Sequence, residues 1–163
     1  MYQDGGDWNM AEDVTLSGNG IRNIQDPTIF SDPDHIESPY YFTGSSDFGG
    51  VHTNSSVPNK VLYLTINGDT HYGISVQPFS IDLAQSQDIA GSIWFHWNAH
   101  YLSIYDGFFV ASGKMLQTAQ DLYPDDEYIS QTVYDAWKSV GINIFEPILS
   151  ARGWTLFLRT SPW

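Results

Sequence analysis

With 163 residues, 42% hydrophobic and 15% aromatic, the chain is long enough to bury one sizeable core and too apolar to be a disordered tail. Nineteen acids against six Lys and Arg give a net charge of −13, which argues against nucleic acid and anionic membranes as partners because both fields repel it. No cysteine is present, which excludes disulfides and thiolate metal sites, and no run of about 18 apolar residues marks a membrane span.

In chain order, Met1 to Asp7 carry neither a basic nor an apolar segment of the kind a signal peptide needs, so none is read in this chain. Residues 1–50 are loop-rich. Ser17-Gly18-Asn19-Gly20, Asp26-Pro27, Asp32-Pro33-Asp34 and Ser38-Pro39 are turn words, and irregular stretches this long are functional or clamped to a neighbour. Asp4, Asp7, Glu12 and Asp13 offer oxygen ligands to a hard cation such as Ca²⁺, or form a solvated acidic loop.

The segment Asp47-Phe48-Gly49-Gly50-Val51-His52 sets an imidazole five residues after a carboxylate across a turn that two glycines can fold back on itself. A carboxylate accepting the Nδ1 proton fixes the tautomer and leaves Nε2 facing outward. The competing reading is a structural Asp–His contact. Asn54 and Ser55 are N-cap candidates for an apolar run carrying Val57, Val61, Leu62, Leu64 and Ile66, which places His52 just before a helix.

From residue 54 to 142 the pattern is helical. Asp69 to Val76 reads as a glycine-bearing link, with His71 in a packing role. A second helix spans Asp88 to Ser103, with Ile93, Trp97 and Tyr101 on one stripe. A third spans Gly107 to Leu122, and a fourth runs from Asp125 as N-cap to Val140, with Gly141 as its C-cap. Inside the second helix, His96 and His100 stand four apart, close enough to share a metal, but position 97 is Trp and no general base lies between them. The pair reads as a solvated polar face. Residues 143–163, rich in Ile, Leu, Phe and Trp, are too apolar for a linker, and their role stays open. The predicted fold class is mainly α.

Several words in this order resemble the C-terminal α-helical domain of the thermolysin-like neutral metallopeptidases. They are Asp7-Trp8, Glu12-Asp13-Val14, Ile21-Arg22, Asp26-Pro27, Asp32-Pro33-Asp34-His35, Gly49-Gly50-Val51-His52-Thr53-Asn54-Ser55, Asn59-Lys60 and Thr70-His71-Tyr72-Gly73. The resemblance runs from about residue 7 to residue 142. It implies a helical array behind a long loop-rich segment in a domain spanning residues 1–142, with 143–163 as an extension.

The same resemblance implies that His52 stabilises the oxyanion of peptide hydrolysis, that Asp47 orients His52, and that Arg22 binds the substrate carbonyl beside the apolar pocket residue Ile21. It implies weak Ca²⁺ binding at Asp7 and Glu12, with Asn9 at the intervening ligand position. The family's Zn²⁺ is held on a His-Glu-x-x-His helix and a following helix, and neither occurs in this chain. The chain is therefore expected to be one half of a secreted zinc endopeptidase acting on peptide substrates, inactive alone, with the N-terminal catalytic half as its partner. The alternative is a stand-alone, non-catalytic binding or structural module built on the same fold. Phe48 stands where the family has a polar residue, a departure within the turn that carries His52.

Overall fold

A computed structural model describes residues 7–11, 18 and 20–144. Two short strands, β1 (Asn9–Met10) and β2 (Arg22–Asn23), pair antiparallel and lead to a 3-10 turn at Pro27–Phe30. Then follow α1 (Asp47–Asn54), α2 (Ser56–Asn67), β3 (Asp69–His71), β4 (Ile74–Val76), α3 (Leu83–His96) running into a π-helical turn (Trp97–Tyr101), α4 (Phe108–Leu122) and α5 (Glu127–Ser139). The chain is mainly helical, as its periodicity implies.

α5 shows how the sequence writes a helix. Ile129, Val133, Ala136, Trp137 and Val140 recur at spacings of three and four and are all buried. Its cap is Asp126, whose side chain accepts from the Tyr128 amide at 3.1 Å. Asp125, the expected cap, stands one residue too early, because helical dihedrals begin at Glu127. The far end is a Schellman closure: Gly141, with φ +90°, sends its amide to Lys138 O, and Ile142 sends its amide to Trp137 O, both at 3.0 Å.

α2 buries Val57, Val61 and Leu64 on one face. Pro58 is tolerated because first-turn amides have no helical acceptor. Neither Asn54 nor Ser55 caps this helix through its side chain; both are engaged elsewhere, described below. α3 begins at Leu83 rather than Asp88, capped by Asp82 Oδ1 accepting from the Gln85 amide at 3.1 Å. Its first turn is largely exposed and carries no apolar stripe, so periodicity could not find it. Beyond His96 the α pattern gives way to the π turn, where Leu102 N bonds Trp97 O at 3.0 Å.

The stretch read as a link is a hairpin. Asp69 pairs with Val76, Thr70 with Ser75 and His71 with Ile74, and Tyr72 (φ 45°) and Gly73 (φ 80°) form the two positive-φ positions of its turn. Three-residue strands are too short to show an alternation.

α4 packs on α5, α2 packs on α3 and α5, and β4 lies against α5. At the centre the fully buried Trp137 meets Trp97 edge-on at 6.3 Å, and its indole N–H reaches Met115 Sδ at 3.2 Å. Trp97 donates to Ala111 O at 2.9 Å, so both indoles bury their ring without orphaning the N–H. Ile142 and Ile144 also join this core. The expectation for the rest of the extension falls on residues 145–163, outside the described residues.

The loop-rich segment is clamped onto α2. Lys60 Nζ donates to Gln25 O at 2.7 Å and sits over the Tyr63 ring at 4.8 Å, while Trp8 meets that ring edge-on at 5.3 Å. Burial pulls the Lys60 pKa down, opposed by the nearby charges of Asp69, Asp34 and Asp26. These contacts bring β2, and with it Arg22, toward the start of α2.

Candidate functional site

Four consecutive residues, Asp47, Phe48, Gly49 and Gly50, have φ of 53°, 48°, 85° and 86°. This left-handed turn opens α1 and reverses the chain before the right-handed turn that carries His52. For Asp47 and Phe48 the conformation costs roughly 1–2 kcal/mol each, which is the kind of strain found where a fold holds a functional group in place. At Gly50 a Cβ would stand 2.8 Å from both Asn54 Nδ2 and Phe42 Cδ1, so only glycine fits.

The reversal delivers the Asp47 carboxylate to three donors. Oδ2 accepts the backbone amides of His52 at 3.0 Å and Thr53 at 3.3 Å, and Oδ1 meets the His52 ring at Nδ1. An ionised carboxylate only accepts, so Nδ1 carries the proton and, in the neutral ring, Nε2 holds the lone pair. The His52 side chain is 76% exposed, so its far nitrogen is open to a substrate. The hydrogen bond from His52, ahead of those from the two amides, lowers the Asp47 pKa below its ordinary 3.8.

Arg22 reaches the same turn from β2. Its Nη2 donates to His52 O and its Nη1 to Ser55 Oγ, and Ser55 in turn donates to His52 O at 2.7 Å. One of the five guanidinium donors is therefore fixed on the histidine's own backbone and a second on the Ser55 hydroxyl that bonds the same carbonyl. Ile21 beside it is 57% exposed. Asn54 is buried and grips the Phe42 backbone twice, accepting from N and donating to O at 2.9 Å each. Ser55 and Asn54 thus position the turn rather than cap α2. Their polarity was legible in the sequence, but their partners, 33 and 12 residues away, were not.

One match decides the family. The thermolysin metallopeptidase α-helical domain covers residues 1–142 of this chain. The chain belongs to the thermolysin metallopeptidase family. It is 38% identical over 140 residues to a bacillolysin of Bacillus cereus, covering 84% of this chain and 23% of that protein. It is 37% identical over 142 residues to a bacillolysin of Brevibacillus brevis, covering 85% and 25%. A thermolysin of Alicyclobacillus acidocaldarius subsp. acidocaldarius is 34% identical over 139 residues, covering 83% and 24%. This thermolysin-family chain spans about a quarter of the length of these relatives.

The other expected residues of this family domain lie apart from that turn in sequence. Asp7 spends Oδ1 on the Asn9 amide at 2.9 Å and Oδ2 on the Asn9 side chain at 3.0 Å, while Asn9 Oδ1 accepts from Asn23 at 2.8 Å. Glu12 lies outside the described residues. Among the described residues no three His, Cys, Asp or Glu side chains converge on a metal position, and the sequence holds no His-Glu-x-x-His. The residues present do not fit the family's catalytic zinc. Among the described residues no helix is long and apolar enough to cross a membrane. His71 is buried and donates from Nε2 to Asp34 O at 3.1 Å, a packing role as expected.

Proposed function

We propose that this domain is the transition-state half of a secreted zinc endopeptidase. His52 is its oxyanion donor, Asp47 the carboxylate that orients it, Arg22 the ligand of the substrate carbonyl, and Ile21 part of an apolar pocket for the residue after the scissile bond. The metal and the general base belong to an N-terminal half, the partner of this chain, and Ca²⁺ at Asp7 and Glu12 is an accessory of the joined enzyme. The observation that carries this reading is the Asp47–His52 pair: three donors hold the carboxylate, the carboxylate holds Nδ1, and the outer ring nitrogen is open. In the protonated ring both nitrogens carry a proton, and the one on Nε2 is placed before negative charge develops on the substrate oxygen, which is where a donor lowers the barrier.

The test joins this chain to the N-terminal part of the Bacillus cereus bacillolysin. Alone, the chain should cleave no casein. In the chimera, His52→Ala should lower kcat and kcat/KM together by about 10²–10³, with KM nearly unchanged and zinc content intact. Arg22→Ala should also raise KM, since a carbonyl ligand acts in the ground state as well. A chimera that folds, binds zinc and keeps its full kcat without His52 would reduce the histidine to turn structure and favour the alternative, a non-catalytic binding module on the same fold.

A further inference from the structure

At the junction of α3 with the π-helical turn, His96 and His100 stand with ring centroids 5.6 Å apart and planes tilted by 46°. With metal–nitrogen bonds of about 2.0 Å, two imidazoles in adjacent positions of a tetragonal ion have ring centres roughly 4.5 Å apart. The observed spacing is wider than that by on the order of 1 Å. His96 Nδ1 lies 2.9 Å from Ser92 O, and because a carbonyl only accepts, Nδ1 carries the proton and Nε2 keeps the lone pair. A backbone carbonyl on the far nitrogen is the usual support of a metal-ligating histidine, fixing both tautomer and ring direction. Phe95 packs edge-on against both rings, at 5.4 and 6.3 Å. His96 is half-buried, while Asn98, Ala99 and His100 are exposed, so the entry path is open. A net charge of −13 draws cations toward the surface.

We propose that His96 and His100 form a bidentate site for a late first-row divalent ion, with water completing its shell. Imidazole donors and the order of divalent affinities place Cu²⁺ ahead of Ni²⁺ and Zn²⁺. This site is separate from the catalytic zinc of the family, requires no third protein ligand, and is independent of the role given to His52.

The experiment titrates the 163-residue chain with CuCl₂, and separately with NiCl₂, by calorimetry at about pH 7.5, with electron paramagnetic resonance of the Cu²⁺ form. One equivalent should bind, with a spectrum of nitrogen ligation, and acidification should release it because protons compete for the ring nitrogens. His96→Gln and His100→Gln should each weaken binding by on the order of 10²-fold, the loss of a chelate's effective concentration. A third variant, His100→Gln with Asn98→His, keeps the histidine count but puts the second ring two residues from the first, off the shared face. It should bind as poorly as the single variants. Wild-type affinity in any of the three, or no one-equivalent step in the unaltered chain, overturns the site.

Discussion

The Asp47 carboxylate ties the left-handed turn to the ring it orients, so its titration reports the geometry directly. Its pKa lies below 3.8, chiefly through the His52 hydrogen bond. The stability it contributes is therefore present above 3.8 and lost as pH falls through the lowered value. In a carboxyl nuclear magnetic resonance titration, His52→Ala should move the Asp47 midpoint back up toward 3.8; an unmoved midpoint would mean that the ring and the carboxylate are not paired in solution. Neighbouring glycines give a second reading of the same turn. Gly50→Ala combines positive φ with collisions against Asn54 and Phe42 and should destabilise by about 2–4 kcal/mol. Gly49→Ala, with the same φ but no atom within 4 Å of its Cβ, should cost about 1 kcal/mol. Urea unfolding of the two variants measures the difference.

At the scale of elements, the β3–β4 hairpin is fastened to the loop before α1 by a ring cluster. His35 stacks on Tyr72 at 3.9 Å and 6°, and His71 meets Tyr72 edge-on at 4.9 Å. His35 Nδ1 accepts the Glu37 amide at 3.0 Å. Burial, the first cause for each, lowers both histidine pKa values below 6.5; Asp34 opposes it at both, Glu37 opposes it at His35, and Lys60 reinforces it at His71. The unfolded chain takes up protons that the folded chain refuses. Stability is therefore fully present above 6.5 and declines as pH falls from 6.5 through the lowered values. Urea midpoints between about pH 7.5 and about pH 5 should show that decline, and it should be shallower in His71→Gln, which cannot charge. The hairpin itself was not legible, because three-residue strands joined by a tight turn leave no period to read. α5 was legible up to its closure at Gly141, which depends on local residues, while its cap falls on Asp126, one residue past the expected Asp125.

For the whole molecule, Trp137 is the test of the core. It is fully buried against Trp97, Phe108 and Met115, and Trp137→Ala should cost about 3–5 kcal/mol in urea unfolding. The surface carries the opposite signal. Phe48 is 90% exposed, and Ile21, Val51, Ile104 and Tyr105 are exposed with it. If the N-terminal half covers part of this surface, the isolated chain should bind a hydrophobic dye and self-associate with concentration. A monomer at every concentration, without dye binding, would count against the two-half reading.

The helical class, the buried stripe of Ile93 and Trp97, the closure of α5 at Gly141 and the Asp47-to-His52 spacing around two glycines were all written in the sequence, because each depends on residues within a few positions of one another. The sequence also carried the ordered words that mark the thermolysin family. That Arg22 is tied to the carbonyl of His52, that Asn54 grips Phe42 and that Lys60 pins the loop at Gln25 became visible only in the folded chain. Those bonds join residues 12 to 35 positions apart, and a donor's partner across such a gap is chosen by how the helices pack.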